Sequence, residues 1–190
     1  MKFNTNLSVA NYRGAVYFTT IARLRTFFKA FIFFIAFAIL YLILGQLGVI
    51  PYSHIINFIV TAYLVFTLFQ FGRTELAIYR YSKQPNTIIG MDIIYSFYNN
   101  YFTVEIPSLN EKNNYGLEAI LEAAEISSNF ILYMGQSHTF IIPKTDMTPE
   151  QLSSLRTYLL QNLKRRFSST VMNKAVKSVN SPKKKLFGKF

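Results

Sequence analysis

From Ala30 to Gly72 the chain contains no Asp, Glu, Lys or Arg. A helix needs about 20 apolar residues to cross a bilayer, so this run is long enough for two crossings and too long for one. Gly45, Gly48 and Pro51 interrupt it near its middle. Proline cannot donate a backbone hydrogen bond and disfavours helix at the residue before it. The expected element is a membrane α-helical hairpin, with spans at 27–47 and 52–71 and a tight turn that forces them antiparallel. A cleaved signal sequence does not fit the first span, whose apolar stretch exceeds the roughly 7–15 residues of a signal core.

Flanking charge sets the orientation. Arg23, Arg25 and Lys29 precede the first span, Arg73, Arg80 and Lys83 follow the second, and the loop between carries none. The positive-inside rule puts both termini in the cytoplasm. The spans hold few polar groups, among them His54, Asn57 and Thr61, and no acid. Proton and ion relays place ionisable groups at mid-membrane, so a pump or transporter is disfavoured. Asn57 and Thr61, one helical turn apart, are expected to hydrogen-bond across the hairpin. His54 reads as an interfacial residue at a helix start.

The net charge is +11 and is unevenly placed. No acid follows Glu150, whereas Lys164, Arg165, Arg166, Lys183, Lys184, Lys185 and Lys189 all do. Each cation near an anionic leaflet contributes about 1 kcal/mol, so these seven residues are the candidate site for anionic lipid headgroups. A charged helix end and a solubilising tail explain them equally simply. Nucleic acid ranks below lipid as a partner, because the chain is already tethered to a bilayer. The chain has no cysteine, which excludes disulfides and cysteine-based metal or redox centres, and its two histidines lie far apart.

Beyond the spans the pattern changes. Residues 1–26 read as an N-terminal cytoplasmic segment: a short strand or coil, then a helix capped by Ser8 or Asn11 that runs toward the membrane. Residues 84–167 read as one small soluble domain. Met91, Ile93, Tyr95 and Phe97, then Phe102, Val104 and Ile106, alternate with their neighbours around Asn99-Asn100. That is a β-hairpin with one core face, ended by Pro107 and a polar stretch through Asn114. Residues 117–127 have helical propensity and admit a strand. Residues 130–134 and 139–142 are strand-length apolar runs. Thr148, Pro149 and Gln151 spell a capping box, followed by Leu152, Leu155, Leu159 and Leu163 on one helical stripe, with Lys164, Arg165 and Arg166 in the last turns. Residues 168–190 read as a basic, poorly ordered tail whose end, KKKLFGKF, interleaves cations with apolar side chains.

Antiparallel strands followed by one amphipathic C-terminal helix outline a small α+β domain of pleckstrin-homology-like (PH-like) form. No residue set reads as catalytic. Ser137, His138 and Asp146 are triad types, but a triad needs them to meet in space beside an oxyanion hole, and Ser-His here reads as a turn. Glu118, Glu122 and Glu125 would share a helical face, which reads as a solvated acidic surface because no histidine accompanies them.

The order of two spans, the hairpin IIYSFYNNYFTVEI, the stretch YGLEAILEAAEISSNFILYM, the signature TFIIPK and a helix beginning at TPEQL resembles the YcxB-like membrane proteins of bacteria. The resemblance covers residues 5–166, with Phe140 to Lys144 its most specific part. It implies a two-span anchor in the bacterial inner membrane and a cytoplasmic PH-like domain, with no catalytic residues and no cofactor. The functional expectation is a non-catalytic module for a protein partner or anionic lipid. The alternatives are a subunit of a homo-oligomeric channel or transporter, since two spans alone enclose no path, and an accessory subunit of a membrane enzyme complex.

Overall fold

The computed structural model describes residues 1–23, 26–48, 55–135 and 138–170. The chain divides into two compact units, Tyr12–Thr87 and a second made of Met1–Asn11 with Ile88–Phe190. The N-terminal residues are therefore not a segment apart, as the sequence suggested.

The second unit is an α+β fold of two four-stranded sheets. In the first sheet β1 (Lys2–Asn6), β2 (Asp92–Phe97), β3 (Tyr101–Ile106) and β4 (Glu111–Gly116) run in that spatial order, all antiparallel. Phe3 faces Tyr95 in register, and the Met1 ammonium donates to the Phe97 carbonyl at 2.9 Å. The β2–β3 hairpin is the expected one, with Ile93, Tyr95, Phe97, Phe102 and Val104 buried. Its turn is closed by the Tyr98 N–H donating to the Tyr101 carbonyl, and neither Asn99 nor Asn100 has a positive φ.

The polar stretch after Pro107 does not end the sheet. A 3₁₀ turn at Pro107–Leu109 and Asn110 at φ 52° reverse the chain into β4. Asn tolerates that left-handed conformation because its short side chain bonds locally. β4 is exposed along most of its length, so it lacks the apolar alternation that marks a strand, and Thr103 Oγ1 donating to Asn114 Oδ1 at 2.7 Å ties it to β3.

The second sheet has the order β7 (His138–Pro143), β6 (Asn129–Met134), β5 (Glu122–Glu125) and β8 (Phe167–Ser169). Residues 117–127 thus resolve as a 3₁₀ turn and strand β5, not as a helix. Every residue of β6 is buried. Gly135, at φ 69°, begins the β6–β7 turn, where a side chain would be strained. The Tyr95 hydroxyl donates to the Ile141 carbonyl at 3.2 Å, linking the two sheets inside the core.

Helix α4 (Pro149–Leu163) carries the expected capping box: the Gln151 N–H donates to Thr148 Oγ1, and the Thr148 N–H donates to the Gln151 side chain. Leu155, Leu159 and Leu163 are buried, and Leu152 is half-buried. The helix stops at Leu163. Lys164 turns the chain at φ 47° and ψ −112°, residues Lys164–Arg166 form a 3₁₀ turn, and β8 then pairs parallel to β5. The three cations therefore lie past the helix rather than in its last turns, and the folded domain extends through 168–170, which the sequence assigned to the tail. The remaining tail residues lie outside the described part.

The helical unit contains most of α1, a π-helical turn, and two long helices. α1 (Val9–Tyr17) is capped by Ser8, whose Oγ accepts from the Asn11 N–H at 3.1 Å. The π-helical turn Phe18–Arg23 follows, then α2 (Thr26–Gln46) and α3 (Ile55–Ser82). Within α2, Phe27–Gln46 is long and apolar enough to cross a membrane, and all of it but Gly45 is exposed or half-buried. Phe27 pairs with Phe71 at 5.2 Å and Phe34 with Tyr63 at 5.6 Å, so α2 and α3 run antiparallel side by side. Their outward side chains are apolar and bare: Phe33 is 67% exposed and Leu68 70%. Asn57 and Thr61 are both exposed. The expected turn at Pro51 and the residue His54 lie outside the described residues. At the far end of α3, Glu75 accepts from Arg13 at 3.1 Å and from the Tyr17 hydroxyl at 2.9 Å.

Candidate functional site

The most concentrated polar chemistry in the α+β unit surrounds Glu125, the last residue of β5. Its side chain is fully buried. Burying a lone carboxylate is costly, and the cost is met only by charges and hydrogen bonds that saturate it. Lys144 Nζ donates to Oε1 at 2.7 Å. Arg156 donates through Nη2 to Oε1 at 2.6 Å and through Nε to Oε2 at 2.9 Å, a bidentate fork. Ser169 Oγ donates to Oε2 at 2.7 Å. The Glu125 carbonyl accepts from Thr170 Oγ1 at 2.9 Å.

Each partner is delivered by a different element. Lys144 follows β7, and its backbone N–H donates to the Ser128 carbonyl, which fixes the start of its side chain. Its Nζ also donates to the Ile126 carbonyl at 2.6 Å and lies over the Phe130 ring at 4.7 Å, a cation–π contact. Arg156 sits on α4 one turn after Leu152 and three residues before Leu159, on the flank of the apolar stripe. Ser169 is supplied by β8, in register with Glu125.

Burial alone would raise the Glu125 pKa. Hydrogen bonds from Arg156, Lys144 and Ser169, with the charge of Lys144, outweigh it and hold the carboxyl at about 2. Burial pushes Lys144 down, against the pull of Glu125. Glu125 raises Arg156. A carboxylate ionised at any physiological pH, with its oxygens occupied, neither donates nor collects protons near neutrality. This centre is a charged joint that binds β5, β7, α4 and β8 together.

The solvated acidic face expected at Glu118, Glu122 and Glu125 is therefore corrected at Glu125. As a strand rather than a helix, β5 turns Glu125 inward, beside cations the spacing argument did not consider. Among the described residues, no group of three or more His, Cys, Asp or Glu is placed to hold a metal ion. Asp146 accepts from the Asn6 N–H at 3.0 Å, His138 opens β7 opposite Met134, and Ser137 lies outside the described residues.

Of the seven cations proposed for lipid, Lys164, Arg165 and Arg166 lie together on the exposed turn after α4. Arg166 also donates to the Ile120 carbonyl at 2.6 Å, so it helps fasten β8 to the domain. Lys183, Lys184, Lys185 and Lys189 lie outside the described residues. The residues that sequence reasoning missed are Lys144, Arg156, Ser169 and Thr170. One signal was present: a cation beside Leu155 and Leu159 on a buried helix face needs a buried acid.

No curated protein and no solved structure matches the chain. The family model described as YcxB-like protein matches residues 97–159. That stretch runs from the end of β2 to Leu159 of α4 and includes three of the four side chains of the buried joint. Over residues 97–159, about a third of its length, the chain is similar to the YcxB-like family.

Proposed function

We propose that this is a multi-pass protein of the bacterial inner membrane that holds a PH-like module in the cytoplasm as a non-catalytic binding device. The observation that carries the reading is the pairing of β1 with β2. Asn6 faces Asp92 in one sheet, so the chain leaves that sheet before α1 and returns to it after α3. A segment that starts and ends on one side of a bilayer crosses it an even number of times. If α2 is one crossing, α3 is the return, and its portion from Ile55 to Gly72 carries no charged residue. Arg73, Arg80 and Lys83 then favour the cytoplasmic side.

Two sheets closed at one side by an amphipathic helix support the PH-like assignment, and the saturated Glu125 centre supports a binding rather than a chemical role. The binding surface we favour is the basic segment from Lys164 onward, directed at anionic lipid headgroups, with a protein partner as the second ligand class.

The test uses the full chain and a version ending at Thr170, a cut that spares β8. Both are reconstituted in zwitterionic vesicles and in vesicles with anionic lipid. Tryptic cleavage after Lys183–Lys185 in the full chain should slow in anionic vesicles and recover in high salt. Equal rates in both lipids would remove the lipid arm. Crosslinking in native membranes then reports the protein arm: a partner captured by both forms belongs to the folded module. Reporter fusions at both ends should read as cytoplasmic, and a fusion read outside would overturn the even-crossing argument.

A further inference from the structure

We infer that the edge of β5 is a strand-binding slot that accepts the β8 segment of a second copy of this chain, giving a reciprocal strand-exchanged dimer. This goes beyond the binding role proposed above and does not depend on which ligand the module takes.

β8 is only three residues long, yet it is held by handles out of proportion to its length. Ala123, Ala124 and Glu125 pair with Phe167, Ser168 and Ser169. Phe167 is buried, Ser169 and Thr170 both donate to Glu125, and Arg166 donates to the Ile120 carbonyl. Each contact joins the 166–170 segment to the β5 region. None requires that both belong to one copy.

The hinge before the segment favours exchange. Lys164 has φ 47° and ψ −112°, close to the corner of a type II′ turn, a position dominated by glycine. A lysine there is strained. If the chain straightens at Lys164, β8 moves away from its own slot and reaches a neighbour's, where every handle is remade and the strain is gone. Strained short hinges drive exchange of identical elements between copies in this way. The vacated slot is tolerable in transit, because Glu125 keeps Lys144 and Arg156 when Ser169 leaves. Copies confined to one membrane plane meet often, and only this point rests on the anchor reading.

The chain has no native cysteine, so introduced ones are unambiguous. Ala124 and Ser168 are register partners, and neighbouring strands lie about 4.8 Å apart, within disulfide range. Full-length A124C and S168C chains with different tags are co-produced and oxidised in native membranes. The expected result is a disulfide between the two tags, about tenfold or more above that of A124C with S153C, a pair outside the register. The double variant A124C/S168C on one chain reports the slot itself. K164G removes the strain and should lower the heterotypic fraction about fivefold. Intrachain closure without a bond between tags would overturn the proposal. So would a double variant that forms no disulfide, a heterotypic yield indifferent to K164G, or capture of A124C by a foreign protein.

Discussion

Arg156 Nη2 lies 2.6 Å from Glu125 Oε1, and the same guanidinium reaches Oε2 through Nε at 2.9 Å. One side chain of α4 thus grips both oxygens of the carboxylate that ends β5. Lys144 and Ser169 complete the shell, so the helix, the segment after β7 and the last strand converge on a single acid.

Removing that acid strands two cations. Breaking a buried ion pair from one side costs about 3–5 kcal/mol, because the remaining charge is left without compensation. Glu125→Ala should therefore lower the melting temperature of the full chain in mild detergent far more than a surface substitution does. The triple variant E125L/K144M/R156L should recover most of the loss, because apolar packing replaces the whole set. Thermal unfolding followed by near-ultraviolet circular dichroism checks both.

Acid should loosen the same joint over a defined window. The folded carboxyl is held at about 2 and its ordinary value is 4.5, so the unfolded chain takes up the proton first as pH falls. The stabilisation from Glu125 is fully present above about pH 4.5 and drains away between 4.5 and 2. Unfolding midpoints measured across that range should fall more steeply for the parent chain than for Glu125→Gln, which has no such group to titrate.

Lys164 should tolerate glycine well. A non-glycine residue in a sparsely populated left-handed conformation costs about 1–3 kcal/mol, while glycine adds roughly 0.5–1 kcal/mol of unfolded-state entropy. Lys164→Gly should therefore leave stability unchanged or raise it by about 1 kcal/mol, although it removes a surface cation. A chemical denaturation midpoint decides the sign.

The capping box of α4 should contribute measurably. Thr148 accepts the Gln151 N–H, and Gln151 accepts the Thr148 N–H. Thr148→Ala should cost about 1 kcal/mol. Thr148→Asp should retain most of it, because a carboxylate accepts the same hydrogen bond and favours the helix dipole.

Where the sequence was legible, its residues carried local signals strong enough to stand alone. Alternation gave the Ile93–Phe97 and Phe102–Val104 faces, and the Thr148 box gave the start of α4. Where it was illegible, tertiary contacts decided. β4 has no apolar alternation and is a strand because β3 offers it an edge. The segment around Glu122–Glu125 has helical propensity, yet pairs between β6 and β8. β8 is too short to leave a pattern, and its partner lies more than forty residues away in sequence. In the sequence Glu125 reads as one acid of three, but its role depends on Lys144, Arg156 and Ser169, which no spacing rule joins to it.

The pairing of β1 with β2 has a consequence for how the chain is made. Lys2 must find Ser96 in the finished sheet, so the first strand emerges from the ribosome long before its neighbour exists. At about 5–20 residues per second, that gap lasts on the order of 5 to 20 seconds. During it the helices α1, α2 and α3 are synthesised while the first strand waits unpaired. The first sheet can close only after Asp92–Phe97 has followed the helices out of the ribosome, so a finished sheet certifies that the whole helical segment between its first two strands has already been made.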